Sequence, residues 1–145
     1  MSYLSFILHA LVDASLWPVI AALLALTCLI VLDIGVAIGE RFGGIERFKS
    51  LGVQPLNELA RKRITRVDII ARISPILGLM GTLIPLGPGI SAMGNGDFAT
   101  LASAITTAFD TTVLGLLIGV LAMLIGRFRR GAYDAALTEL EAKNA

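Results

Sequence analysis

Asp110 is the one carboxylate that lies deep inside a long uncharged run of the sequence. It is the only charged residue between Leu101 and Gly126, and hydroxyl residues surround it at helical spacing. A carboxylate at the centre of a membrane costs about 2.5–3.5 kcal/mol, so such residues face a bundle interior or a water-filled cavity. Asp110 is therefore a candidate group in an ion pathway.

The hydroxyl residues around Asp110 form two neighbouring stripes of one helix. The members are Thr100, Ser103, Thr107 and Thr111 in the first stripe, and Thr106 beside Asp110 in the second. A threonine in a membrane helix often donates to the carbonyl four residues back, so each one alone also has a structural explanation. At about 1.5 Å per residue, Asp110 lies about 13 Å into one span and Thr82 about 13 Å into its antiparallel neighbour. Thr82, Asp110 and Thr112 therefore share roughly one central layer. We predict that this central layer, with Thr107 and Thr111 beside it, contains the ion pathway.

The elements that position these residues are three long apolar runs. Hydrophobic residues make up 56% of the 145-residue chain and charged residues 16%, against about 25% charged in soluble domains. Crossing about 30 Å of hydrocarbon takes about 20 helical residues. The chain is predicted to be an all-α membrane protein with three transmembrane helices in a single membrane module. Its predicted segments are transmembrane helices at about 16–39, 71–93 and 101–126, a cytosolic loop at 40–70, an outer hairpin at 94–100 and a cytosolic tail helix at 127–145.

Two polar residues lie near the ends of the first span. Ser15 is predicted to be its N-cap, with Pro18 in the first turn, where a missing N–H costs nothing. Asp33 lies near its inner end and is expected to pair with a loop Arg or Lys, with a position at the inner mouth of the pathway as the alternative. A cleavable signal peptide is disfavoured, because such a peptide begins with positive charge and residues 1–40 contain no Lys or Arg.

The basic residues predict the orientation of the spans. Of the 12 Lys and Arg, eight lie between the first two spans and four follow the third, while the hairpin at 94–100 has none. By the positive-inside rule, the N-terminus is outside and the C-terminus inside. Within the cytosolic parts, residues 54–66 are expected to form a short amphipathic helix, and the third span is expected to continue into the tail as one long helix. The charges follow membrane topology, so the lipid bilayer is an expected partner and nucleic acid is not.

The second span combines small residues with prolines. One face carries Ser74, Gly78, Gly81 with Thr82, Pro85 and Gly89, a pattern typical of close helix packing in membranes. Pro75, Gly78, Gly81 and Pro85 are the predicted packing and kink positions. Prolines are tolerated there where neighbours or water satisfy the freed carbonyls, which favours a helix that borders a hydrated space.

No arrangement of residues indicates an enzyme. Cys28 is the single cysteine, and metal-ligand spacing, a nucleophile–base pair and a phosphate-binding loop are all missing from the sequence. We expect a non-enzyme without a bound cofactor, whose transported ion is H⁺ or, alternatively, Na⁺.

Two strings of the sequence resemble the MotA/TolQ/ExbB proton-channel family. The string SPILGLMGT at 74–82 looks like the start of the family's second span, closest to the ExbB/TolQ branch. The string ITTAFDTTVLGL at 105–116 is similar to its third span, and the whole resemblance covers about residues 69–130. Where that branch usually has a glutamate this chain has Thr107, and Asp110 follows about one helical turn later. The cytosolic loop is also shorter than in well-known members.

The resemblance implies a stator subunit of the cytoplasmic (inner) membrane. In that family five copies form a helical ring around two single-span partner chains (ExbD/TolR/MotB-like), and proton flow past a partner aspartate moves one against the other. By the same resemblance, Thr82 and Thr112 match pore threonines, and Pro75, Gly78 and Gly81 match packing and kink positions.

Two other functions are compatible with three polar-lined spans. A structural scaffold subunit of a membrane complex would tolerate Ala or Val at Thr82 and Thr112 and conduct no protons. A self-sufficient small channel would conduct without a partner; transporters generally have duplicated halves, which this sequence lacks.

Overall fold

Four α-helices make up the part of the chain that the computed structural model describes, residues 2–39 and 53–144. They are α1 (Ser2–Ala14), α2 (Leu16–Gly39), α3 (Val53–Gly94) and α4 (Phe98–Asn144). Three stretches are long and apolar enough to cross a membrane: Phe6–Gly39, Asn57–Gly94 and Phe98–Glu139. Of the predicted cytosolic loop, residues 40–52 lie outside the described part.

The helices α3 and α4 are longer than a bilayer requires. They contain 42 and 47 residues, about twice the number needed to span hydrocarbon. Residues 54–66, expected as a separate short helix, are the first turns of α3, because no glycine or proline interrupts the chain between Leu56 and Ser74. The tail is likewise the continuation of α4.

Glycines allow the antiparallel helices α3 and α4 to pack closely against each other. A Cβ atom built on Gly115 would lie 2.6 Å from the carbonyl oxygen of Ser74 and 2.8 Å from Cα of Gly78. A Cβ atom on Gly119 would lie 2.9 Å from Cγ of Pro75. Real Cβ atoms do not approach so closely, so the absent side chains allow the two backbones to touch, as small residues do in membrane helix pairs.

Helix α2 packs against both members of this pair, and α1 contacts α2 and α3. The shared apolar cluster includes Val19, Leu23 and Ile30 of α2, Val67, Ile70 and Ile84 of α3, and Ile118, Ala122 and Ile125 of α4. A second cluster joins the extended ends of α3 and α4 through Ala60, Tyr133 and Ala136. There Arg63 donates to the Tyr133 hydroxyl at 3.4 Å.

The two helix junctions differ in how their polar groups are satisfied. Gly96, with φ of +80°, makes the turn between α3 and α4, and Asp97 caps α4 by accepting from the Thr100 backbone N–H at 3.0 Å and from the Thr100 hydroxyl at 2.5 Å. These two hydrogen bonds hold the pKa of Asp97 below its ordinary value. At the other junction, Ser15 does not cap α2: its hydroxyl donates back to the Val12 carbonyl at 2.6 Å, because the chain passes from α1 into α2 with almost no break.

Large apolar side chains cover the outside of the three long helices. Trp17, Leu83 and Val113 are exposed, with many similar residues on the same elements. A soluble monomer rarely exposes apolar surface on this scale. Hydrocarbon or other protein chains must therefore cover this surface.

The glycine contact predicts a sharp response to one methyl group. Replacing Gly115 by Ala should lower the stability of the α3–α4 pair by about 1–3 kcal/mol, the usual cost of overpacking. Thermal unfolding of the detergent-solubilised protein, followed by circular dichroism, measures the loss.

Gly131→Ala is the matched control on the same helix, since nothing lies within 4 Å of a Cβ atom built there. It should leave stability unchanged or raise it by up to about 1 kcal/mol through helix propensity. An equal change in stability for Gly115→Ala and Gly131→Ala would contradict the close backbone contact at Gly115.

Candidate functional site

The register of α3 against α4 determines which polar residues share a depth. Three close approaches fix that register: Gly78 with Gly115, Gly81 with Thr111, and Gly89 with Ala104. Continuing the same antiparallel register puts Thr82 level with Thr111. Thr82, Asp110 and Thr112 therefore lie within about one helical turn of one another in depth.

Thr82 and Thr112 lie along one flank of the α3–α4 pair. The Thr112 hydroxyl reaches across to the Gly78 carbonyl of α3 at 3.5 Å. Thr82 lies one turn beyond Gly78, and its hydroxyl donates to the Leu79 carbonyl at 2.6 Å. Both hydroxyls keep free lone pairs, so each can accept a further hydrogen bond from water.

Asp110 lies on a different side of α4. It is two residues from Thr112, which is about 200° of rotation in an α-helix, so the two side chains leave α4 in nearly opposite directions. Asp110 is exposed, and Leu114, one turn further on, packs against the apolar cluster that α2 shares with α3 and α4. The structure brings Thr82 and Thr112 together on one flank and leaves Asp110 on the flank towards α2.

The other two threonines of the predicted pathway bond within their own helix. The Thr107 hydroxyl donates to the Ser103 carbonyl at 3.1 Å, and the Thr111 hydroxyl is 2.9 Å from the Thr107 carbonyl and 3.0 Å from the Ala108 carbonyl. Thr111 is buried, and a Cβ atom on Gly81 would lie 2.6 Å from it. Thr111 is therefore a packing residue in this protomer, whereas Thr107 is half-buried and reaches the surface.

The prolines of α3 leave the helix unbroken. Pro75, Pro85 and Pro88 all lie inside the single helix Val53–Gly94. Each lacks an N–H, so the carbonyl four residues earlier receives no bond from it. The Pro75 ring packs against the bare backbone of Gly119, which explains why a small residue lies opposite it.

Asp33 is the centre of a buried ion cluster and joins three helices. Its side chain is 4% exposed, and Arg66 Nη2 of α3 lies 2.8 Å from its Oδ1. Arg129 Nη1 of α4 lies 3.2 Å from the same oxygen, and Arg129 Nη2 donates to the Asp33 backbone carbonyl at 3.3 Å. The expected pairing with a basic residue of the loop is present through Arg66. The second partner was not anticipated.

Arg129 was missed because the sequence argument counted it only as a topology signal. Its side chain is 3% exposed. The signal that could have found it is periodicity: it lies in register with Ala122, Ile125, Tyr133 and Ala136, the residues that form the buried stripe of α4. Within residues 2–39 and 53–144, no group of three or more His, Cys, Asp or Glu side chains could hold a metal ion.

Comparison with known proteins gives two matches. The model of the MotA/TolQ/ExbB proton channel family matches residues 44–142, about two thirds of the chain. A protein of Methanothermobacter thermautotrophicus, described as a homolog of the biopolymer transport protein ExbB, is 34% identical over 73 residues, which is 50% of this chain and 26% of that protein. The chain thus matches about a quarter of the length of this curated relative. No solved structure matches this chain.

The ion cluster predicts unequal effects of removing its members. Asp33→Ala leaves the Arg129 charge buried without its carboxylate and should cost about 3–5 kcal/mol. Arg66 is 54% exposed, so Arg66→Ala should cost about 0–1 kcal/mol. Thermal unfolding in detergent compares the variants.

The double variant Asp33→Ala with Arg129→Met should be more stable than Asp33→Ala alone, because the second change removes the uncompensated charge. If Arg66→Ala were as damaging as Asp33→Ala, the buried contact with Arg129 would not be the one that stabilises the bundle.

Proposed function

The chain belongs to the MotA/TolQ/ExbB proton channel family, and from that we propose that it is a subunit of a membrane motor driven by the proton-motive force. Several copies form a ring in the cytoplasmic membrane around the single-span helices of an ExbD/TolR/MotB-like partner. Protons that pass through this assembly drive rotation or force transfer. The similarity to a protein described as an ExbB homolog in biopolymer transport supports this class of function.

The observation that carries the proposal is the exposure of Asp110. The apolar side chains of its neighbours Phe109 and Val113 are 67% and 63% exposed. The carboxylate therefore lies on an apolar surface suited to contact with lipid or protein. An ionised carboxylate facing acyl chains is costly, and intramembrane acids face bundle interiors or hydrated cavities. Another chain or enclosed water must therefore surround Asp110, and a ring of copies would supply both.

The distribution of charge supports an N-out, C-in orientation. Because α3 and α4 are antiparallel, Arg61 and Arg72 of α3 and Arg127 and Arg130 of α4 lie at the same end of the pair. The helix α1 and the turn at 94–100, at the opposite end, contain no Lys or Arg. A basic inner end and an outer end without basic residues fit the positive-inside rule.

The energy available to such a ring follows from the membrane potential. Each proton that crosses 100 mV releases about 2.3 kcal/mol. Asp110 can bind and release a proton at mid-membrane, and the hydroxyls of Thr82 and Thr112 can orient water at the same depth. A partner carboxylate inside the ring would exchange protons with this layer, and each exchange would bias the movement of partner against ring.

Replacement of Asp110 by Asn tests the proposal. The amide keeps the size of the side chain but does not exchange protons at neutral pH, so proton flux and proton-driven work should be lost while the ring still assembles. Flux is measured in liposomes that contain the chain with its single-span partner, and assembly by the mass of the detergent-purified complex.

Asp134→Asn is the matched control, since Asp134 is an exposed carboxylate on α4 beyond the predicted span. It should leave both flux and mass unchanged. Undiminished flux in Asp110→Asn would remove this residue from the pathway. A particle that stays monomeric would contradict the ring, and flux from the chain alone would indicate a self-sufficient channel instead.

A further inference from the structure

A groove of about 360 Å³, mostly apolar but lined by four polar side chains, opens near the turn between α3 and α4. All four helices contribute to it. Its polar lining comes from Asp13 of α1 and from Thr100, Ser103 and Thr107 of α4, and its opposite wall includes Pro85 and Gly89 of α3. The groove lies at the end of the bundle that the proposed orientation places outside.

The polar lining continues a line of side chains that ends at Asp110. Thr100, Ser103, Thr107 and Asp110 are separated by three, four and three residues, the spacing of one helix flank. The line descends about 15 Å along α4. The groove itself reaches as far as Thr107, and Asp110 follows one turn further along the flank of α4 that faces α2.

The walls of the groove offer acceptors for water. The Thr107 hydroxyl donates its hydrogen bond to the Ser103 carbonyl. Its lone pairs can therefore accept hydrogen bonds from water. Ile84 also lines the groove. Because Pro88 lacks an N–H, the Ile84 carbonyl receives no helical hydrogen bond from it. A buried or half-buried site needs two to four such partners to hold a water molecule.

The mouth of the groove carries negative charge. Asp13 lines the groove itself, and Asp97 lies one turn before Thr100, where the hydrogen bonds from Thr100 lower its pKa and keep it ionised at neutral pH. Residues 1–40 and 94–100 contain no Lys or Arg to neutralise them. Negatively charged groups around a cleft raise the local concentration of cations.

We propose that this groove is the water-filled route by which protons from the outer side reach Asp110 within each protomer. The direction of movement and the identity of the ion, H⁺, rest on the proposed function. The position of the water-filled route is a separate structural claim. It assigns proton access to the α2 side of α4, away from the flank that bears Thr82 and Thr112. Thr107 becomes a positioning residue that holds water between the mouth and Asp110.

Cysteine labelling tests the route without requiring proton flux. In a chain in which Cys28 is replaced by Ser, single cysteines at Ser103 and Thr107 are exposed to a membrane-impermeant charged thiosulfonate reagent. Reaction needs water, because the reactive form is the thiolate. Both positions should react several-fold faster in right-side-out than in inverted membrane vesicles.

Leu24→Cys in the same background is the control. Leu24 is an exposed apolar residue of α2 that does not line the groove, so it should remain unlabelled from either side. No labelling at Ser103 and Thr107, labelling only from the inner side, or equal labelling at Leu24 would each overturn the inference. None of these results depends on whether the ring conducts.

A second measurement connects the groove with conduction. Thr107→Val keeps the shape of the side chain but removes its hydroxyl, and it should lower proton flux several-fold in liposomes with the partner. Thr107→Ser should restore it. Unchanged flux in Thr107→Val, with Asp110→Asn inactive, would overturn the groove as the route while leaving the proposed function intact.

Discussion

A bilayer does not solvate a carboxylate, and this constraint explains why the chain cannot function as three isolated helices. The close contact of α3 and α4 leaves no room for a carboxylate between them, because Gly78 and Gly115 bring the two backbones together and Thr111 fills the space opposite Gly81. The polar groups of the central layer are therefore displaced to the two flanks of the pair. The same glycine packing that stabilises the protomer leaves Asp110 exposed on its surface, where only another chain or confined water can satisfy it.

The chain contains two aspartates within long apolar runs, and their surroundings are opposite. Asp33 has two arginines within 3.2 Å and is buried with them. Such a cluster is costly to break, and it has a structural role: it joins α2, α3 and α4 at the end of the bundle where the basic residues lie. Asp110 has only apolar and hydroxyl neighbours along its own helix. Asp33 is thus bound to two cationic side chains, whereas Asp110 has none among its neighbours on α4, and for this reason the proposed proton step is assigned to Asp110.

Sequence reasoning predicted the three apolar helices, and the level that Thr82, Asp110 and Thr112 share agrees with the register of α3 against α4, because both depend on residue counts along a helix. It could not predict the direction in which each side chain points, since that depends on which neighbour each helix face meets. Thr112 and Asp110 illustrate the difference: they share a depth but lie on opposite sides of α4. The burial of Arg129 and the back-bonded Ser15 escaped prediction for the same reason, because both depend on contacts or chain paths that spacing alone does not specify.

The separation of the two flanks has a consequence for any ring built from this chain. Within one protomer, a proton at Asp110 cannot pass directly to the Thr82–Thr112 flank, because the glycine contact of α3 and α4 closes the way between them. In a cyclic assembly, however, each interface is heterologous, so one flank of a copy meets the opposite flank of its neighbour. The Asp110 flank of one copy can then face the Thr82–Thr112 flank of the next. In the proposed ring, proton transfer would then be a property of the interface between copies, and a partner helix moving past successive interfaces would meet the same step each time.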